Sequence, residues 1–211
     1  MHLLRAQALL DVGAWEAASA ALAVFEGEPP GSAEQQAMLA VRRAELALGL
    51  EDPAAALEAA VQAVALAGEG HALGLQVQAQ LMHARTLQRS GNASEALATL
   101  VQVDAGLGRY ASVPLRLLLA ETHLRLDSPQ RVQVWRGSEA LLARLPSYGR
   151  AWRLLSLALP HASVEDMTTR RDQLTREIGR IDAALPAELR PPFASAVARL
   201  ASSSDEGESS P

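Results

Sequence analysis

Four alanines, Ala6, Ala44, Ala84 and Ala120, recur along this chain at spacings of 38, 40 and 36 residues. Seven residues after each stands the first member of a turn: Gly13, Glu51, Gly91 and Asp127. A small residue lets a second helix come close, and a nearly constant period of this length is the signature of helical hairpins stacked in an array. The unit is plainest over 84–100, ARTLQRSGNASEALATL. Ser90-Gly91 ends one helix, and Asn92 is placed to cap the next. Glu95, three residues on, can reach back to the cap's backbone amide. Leu87, Leu97 and Leu100 supply the apolar contact within the hairpin. Such a hairpin cannot bury both its faces alone, so it needs neighbours.

The other units repeat this arrangement. Gly13-Ala14-Trp15-Glu16-Ala17-Ala18 leads into a helix through Leu22 and Phe25. Asp52 followed by Pro53 reads as a cap and a first helical position. Asp127-Ser128-Pro129 reads as a weaker copy, again cap then proline. Ser32 with Gln35 starts a helix running to Leu48, and a long helix is expected from His71 to Gln88. Gly106 and Gly108 separate the third and fourth hairpins, Ser112-Val113-Pro114 opens the next helix, and Pro146-Ser147 breaks before a helix from Tyr148 to Leu159. The expected fold is all-α: a solenoid of antiparallel helical hairpins over 1–160, with units 2–30, 32–68, 71–107 and 112–145 and a lone fifth first-helix at 147–159.

These residues resemble the tetratricopeptide repeat (TPR) family. Its pattern has a small residue in the first helix, Gly near the turn, an aromatic or Pro just after it, and Ala in the second helix. Ala6/Gly13/Trp15/Ala18, Ala44/Pro53/Ala56 and Ala84/Gly91/Ala96 match those positions, and Ala120/Pro129 with Val132 follows them less fully. Pro30 falls where the family's closing proline sits. The resemblance covers about 2–145, and units of this longer period are similar to those in the helical carboxy-terminal parts of large bacterial signalling proteins.

Beyond Pro160 the pattern changes. Ser163 with Asp166 signals a helix to Leu185, with Val164, Met167, Arg171, Leu174, Ile178, Ile181 and Leu185 spaced alternately three and four apart. That is a narrow seam suited to one neighbour. Such a helix either caps the array or pairs with another chain; the expectation is a cap folded back on the array, with Arg171 at its edge reaching Glu121 or Glu139, and a chain that is mainly monomeric or self-associates weakly and salt-sensitively. A bend over 185–192 precedes a short last helix from Phe193 to Leu200. The acidic tail 202–211 holds no apolar residue and is expected to be disordered. The chain begins almost inside its first helix without a polar cap, which suits either a preceding part of a longer protein or a frayed first hairpin.

Composition narrows the function. Aromatics are only 3% while Ala and Leu dominate, which favours closely packed helices over a β-sandwich. All 19 basic residues are arginine, which removes a Walker-type phosphate lysine and Schiff-base chemistry. Cysteine is absent, so there is no disulfide or thiol chemistry, and with no signal-peptide pattern in MHLLRAQALLDVG the expected location is the cytoplasm. No apolar run approaches the roughly 20 residues that span a bilayer. His83 and His123 lie on first helices of adjacent units, but neither belongs to an i, i+4 pair with a carboxylate. No metal, cofactor or catalytic residue is expected, and Trp15, Trp135 and Trp152 are read as packing residues.

What remains is binding. Residues 1–108 carry 5 Arg against 12 acids, whereas 109–201 carry 14 Arg against 9 acids. The basic half (Arg131, Arg136, Arg144, Arg150, Arg153, Arg170, Arg171, Arg176 and Arg180) raises a second reading, a nucleic-acid-associated regulator. Few aromatics and interleaved acids argue against it. The resemblance implies instead a non-catalytic interaction module or scaffold whose partner lies in a concave groove lined by first helices. It places Leu3, Leu4 and Gln7 of unit one there, with Val41, Arg42 and Glu45 of unit two, and Leu81, Met82, Arg85 and Arg89 of unit three. Unit four adds Leu117, Leu118, Glu121 and Arg125. The family's Lys/Asn carboxylate clamp is missing. An apolar floor edged with Arg suits an amphipathic helix or an apolar segment with a few acids, from a protein or peptide partner or from another region of a longer protein.

Overall fold

The structure, a computed structural model, describes residues 1–27, 30–70, 72–107, 111–142, 149–162 and 164–205. Among these every regular element is helical. In chain order they are α1 (His2–Asp11), α2 (Trp15–Ala23), α3 (Ala33–Gly49), α4 (Pro53–Glu69), α5 (Leu73–Arg89) and α6 (Ala93–Gly106). Then come α7 (Val113–Arg125), α8 (Arg131–Leu142), α9 (Ala151–Ala158), α10 (Val164–Ala184) and α11 (Arg190–Asp205), with 3₁₀ turns at Leu159–His161 and Ala187–Leu189. No helix of the described residues is long and apolar enough to cross a membrane.

The repeat read from the sequence appears in the backbone as one recurring device. Gly13 (φ 73°), Glu51 (63°), Gly91 (85°) and Asp127 (48°) are the described residues with left-handed φ. The amides of the residues that follow them, Ala14, Asp52, Asn92 and Ser128, donate to the carbonyls of Leu9, Ala47, Leu87 and His123. Gly13, Glu51, Gly91 and Asp127 themselves donate to Leu10, Leu48, Gln88 and Leu124. This pair of bonds is the Schellman arrangement, which satisfies carbonyls that the end of a helix would otherwise leave bare. The same stop therefore closes α1, α3, α5 and α7 and turns the chain back into α2, α4, α6 and α8.

Helix starts follow local chemistry in part. Ser32 Oγ accepts from Gln35 N at 3.2 Å, and Asp52 Oδ1 accepts from Ala55 N at 3.0 Å. Asn92 and Ser112 make no side-chain cap bond. Asn92 has ψ 54°, further from the extended conformation than Ser32 at 147° or Asp52 at 85°. Asp127 does not cap α8. It occupies the left-handed position, and its carboxylate meets Arg131 Nε at 2.8 Å where that helix begins. The starts placed at His71, Tyr148 and Ser163, the break at Pro146-Ser147, and Gly108 lie outside the described residues.

Packing passes from hairpin to hairpin. Each first helix lies against the next one, α1 on α3, α3 on α5, α5 on α7 and α7 on α9. The marked alanines Ala6, Ala44, Ala84 and Ala120 are all fully buried at these contacts. The apolar core then returns to its beginning. Leu9, Leu10, Ala18 and Leu22 of the first hairpin share one cluster with Trp152 of α9, Ile181 of α10 and Phe193 and Ala196 of α11. Trp152 and Phe193 meet edge to face at 5.4 Å. The five first helices thus close into a ring, with α10 and α11 over the junction.

The closing segment differs from its expected form in two ways. Arg171 is exposed, and the neighbouring Arg170 reaches Glu139 at 3.4 Å while lying over the Trp135 ring. A strict three-and-four seam drifts around a straight helix, so the face that docks includes position 170. The last helix begins at Arg190 and runs to Asp205, with Pro191 and Pro192 in its first turn, where their missing amides cost nothing. It thus extends into the part expected to be disordered, and residues 206–211 lie outside the described ones.

The two kinds of left-handed position give a testable contrast. Glu51 is exposed and bears a Cβ in a conformation that costs roughly 1–2 kcal/mol for an L-residue. Glu51→Gly should therefore raise thermal stability by about 1 kcal/mol. Gly13→Ala should lower it by more than Gly91→Ala, because a Cβ at 13 would lie 2.4 Å from Ala196 Cβ, whereas at 91 nothing stands within 4 Å. Thermal melts of the three variants check both orderings.

Candidate functional site

The first helices carry charged residues on the sides they turn to one another. Glu45 lies one turn after Arg42 on α3, Arg125 one turn after Glu121 on α7, and Arg153 one turn after Arg150 at the start of α9. Ring closure brings these groups, with Arg85 of α5 and Asp11 of α1, into one network. Glu45 and Glu121 are 2% and 1% exposed, and Arg85, Arg150 and Arg153 are buried with them.

Arg150 is the hub. Its Nε donates to Asp11 Oδ1 at 2.8 Å, its Nη2 donates to Glu45 Oε1, and its Nη1 stands 3.7 Å from Glu121 Oε2. Arg153 donates from Nη1 to Glu45 Oε1 at 3.2 Å and from Nη2 to the Leu10 carbonyl. Its guanidinium also lies 5.4 Å from the rings of both Trp15 and Trp152. Arg125 Nε donates to Glu121 Oε1 at 2.9 Å, and Arg85 Nη1 is 3.9 Å from the same oxygen. Trp152 Nε1 donates to the Asp11 carbonyl at 3.1 Å, fixing α9 against the end of α1.

Burial works to raise the Glu45 carboxyl, but the guanidiniums of Arg150, Arg153, Arg85 and Arg42 outweigh it and draw the group down to about 2. Glu121 is held well below the carboxylate range by the same balance, with Arg125 and Arg150 foremost among its charge partners. Burial pushes Arg85 down to about 9, with nearby Arg125 adding to the effect, so it is still charged at neutral pH. Arg42 and Arg153 are lowered first by burial as well. The network holds five guanidiniums (42, 85, 125, 150 and 153) and three carboxylates (11, 45 and 121), an excess of positive charge in a poorly solvated interior.

A cavity of about 230 Å³ borders the network and shares Asp11, Arg42 and Arg150 with it. Gln7 of α1 and Gln78 of α5 complete its polar lining, while Pro114, Leu115 and Leu118 of α7 form an apolar wall. A larger depression of about 430 Å³ between α6 and the 128–130 turn contains no charged side chain. Among the described residues no group of three or more His, Asp or Glu could hold a metal ion.

The residues expected to line an open groove are brought together, but most are enclosed. Val41, Glu45, Leu81, Met82, Arg85, Leu117 and Glu121 are buried, and a partner could touch them only if the helices moved. Arg42, Leu118 and Arg125 are half-buried, Arg89 is exposed, and of the unit-one set Leu4 is 77% exposed while Leu3 and Gln7 are half-buried. Arg85 and Arg89, four residues apart, therefore do not form one surface pair. The physical reason is α9: its two arginines fill the space that an open array would leave. Asp11, Gln78, Arg150 and Arg153 were missed as members of this site. Arg150 and Arg153 carried a one-turn spacing that could have shown a shared face, but nothing local marks the acids they meet. Of the nine arginines of the basic second half, Arg131, Arg150, Arg153, Arg170 and Arg180 pair with carboxylates, which leaves fewer for phosphates.

Removing one partner of a buried ion pair is costly, because the other charge is left unpaired. Glu45→Ala should destabilise the chain by about 3–5 kcal/mol. The depressed Glu45 pKa sets the sign of the pH dependence: its contribution is complete above about pH 4.5 and is lost as pH falls towards about 2. Glu45→Gln should accordingly show a flatter loss of melting temperature across that window than the unaltered chain. Parallel slopes would remove Glu45 from the network. Comparison with family models, curated proteins and solved structures found no match.

Proposed function

We propose that this chain is a non-catalytic protein-interaction module or scaffold of tetratricopeptide type. In this reading its hairpins form a short α-solenoid closed upon itself, and it serves as the helical part of a bacterial regulatory or signalling assembly. The observation that carries the reading is that Gln7, Arg42, Gln78 and Leu118, from the first helices of four successive hairpins, line one recess. That is the surface on which an array of this kind collects contributions from several units. Because α9 fills the deeper part, the partner meets the rim. Leu4, 77% exposed, stands one turn before Gln7, and Leu73, 66% exposed, opens α5 ahead of Gln78. Exposed leucines beside arginine suit an amphipathic helix or an apolar segment carrying a few acids. The pairing of Arg170 with Glu139 and the docking of α10 on α9 support a monomer.

Photo-crosslinking side chains placed at Leu4 and, as a control, at Val61 of α4 (52% exposed) test this reading in extracts of the source cells. A discrete adduct formed from position 4 and absent from position 61 is expected. The same adducts at both positions, or none at either, would sink the rim as the interaction surface.

A further inference from the structure

The cavity beside the network has chemistry that a protein surface does not require. Arg42 lines it, and among the described residues its side chain makes no hydrogen bond and no ion pair. Burial and Arg150 oppose its charge, and Glu45 and Asp11 favour it. Glu45 Oε1 already accepts from Arg150 and Arg153, while its Oε2 is buried without a hydrogen bond among the described residues. Asp11 is likewise engaged, accepting from both Arg150 and Gln7. Arg42 is thus a cation without a hydrogen bond among the described residues, at a recess whose one lining acid, Asp11, already holds Arg150 and Gln7 on one oxygen.

A second observation points the same way. Arg85, 7% exposed, has Nε and Nη1 buried without a hydrogen-bond partner among the described residues. It lies on α5 seven residues after Gln78, on the same helical stripe as that cavity residue. Its ion pair with Glu121 at 3.9 Å leaves those donors without hydrogen bonds, which is costly in a buried site, and here the arginines outnumber the acids. An anion entering the cavity would offset that excess. The wall formed by Pro114, Leu115 and Leu118 asks that the anion also carry an apolar part. The cavity is smaller than a usual drug-sized site, so the ligand is small.

We propose that this cavity binds a small organic carboxylate, its carboxylate paired with Arg42 and reached by the Gln78 amide, its apolar part against Leu115 and Leu118. A planar guanidinium takes a carboxylate through two parallel hydrogen bonds, which suits Arg42 to that group. The carboxylate could belong to a free acid or to the side chain of an acidic residue on a polypeptide, and the test separates the two. The site does not depend on the partner-binding reading, since it needs no macromolecule.

The test is a titration of the full chain, with leucine methyls observed by NMR at constant ionic strength. The probes are sodium benzoate, the neutral isostere benzamide, and a glutamate blocked at both ends. Benzoate or the blocked glutamate should shift the methyls of Leu115 and Leu118 saturably, with a millimolar Kd as befits so small a ligand. The tighter of the two names the source. Benzamide should bind at least about tenfold more weakly, as should benzoate to Arg42→Gln. Leu118→Trp, which fills the cavity and keeps the network's charges, should abolish the shift of the remaining Leu115 methyls and serves as the second variant should Arg42→Gln fail to fold. Absence of saturable shifts with either acid, equal binding of benzamide, or undiminished binding to a folded variant would overturn the proposal. Benzoate binding without any crosslinked partner at Leu4 would leave the site standing and remove the interaction reading alone.

Discussion

Arg150 is the residue on which the rest of the structure depends, because it joins the two ends of the chain through their charges. Asp11 and Glu45 come from the first and second hairpins, and Glu121 from the fourth. Placing these acids and five arginines in a poorly solvated interior costs several kcal/mol per ion. The cost is offset only where each carboxylate meets its guanidinium, and one placement of α9 against α1 and α3 achieves this. An apolar contact would tolerate sliding, whereas this one does not. The polar interior therefore specifies how the ring closes more than it adds to stability.

Around that centre the remaining forces are ordinary. Fully buried alanines let the first helices approach, and Schellman stops at equivalent positions keep each hairpin in register with the next. Trp15 is seated where α3 ends in Gly49, at which a Cβ would collide with its ring at 2.4 Å. Trp152 joins the α1 carbonyl end to Phe193 of α11. The closing helices thus finish the core of the first hairpin, which would otherwise present Leu9 and Leu22 to water.

Closure also changes which inner residues solvent can reach. An open array of hairpins offers a long concave floor, and here Val41, Leu81 and Leu117 on that floor are enclosed. What stays reachable is a small recess with Arg42 on one side and Leu118 on the other. The inner surface is thereby reduced from a long floor to a small recess edged by a guanidinium.

The sequence by itself determined the all-helical class and the four turns that end first helices, since a small residue and a left-handed position recur at a fixed interval. It also favoured a folded-back α10 over one paired with another chain, and it marked the tryptophans as packing residues; α10 lies on α9. These are local matters, set by helix periodicity and by the few residues that tolerate special backbone geometry. The site was legible only by half. Arg42, Glu45, Arg85, Glu121 and Arg125 were legible as inward-facing only through the resemblance to the tetratricopeptide repeat, whose ligand-facing positions they match. Their partners were not. Arg150 lies 139 positions from Asp11 and 105 from Glu45, and no periodic signal spans such a distance. Whether the inner face is an open groove or a filled one depends on how tightly successive hairpins curve. That curvature is a sum of small packing rotations, and only the tertiary structure decided it.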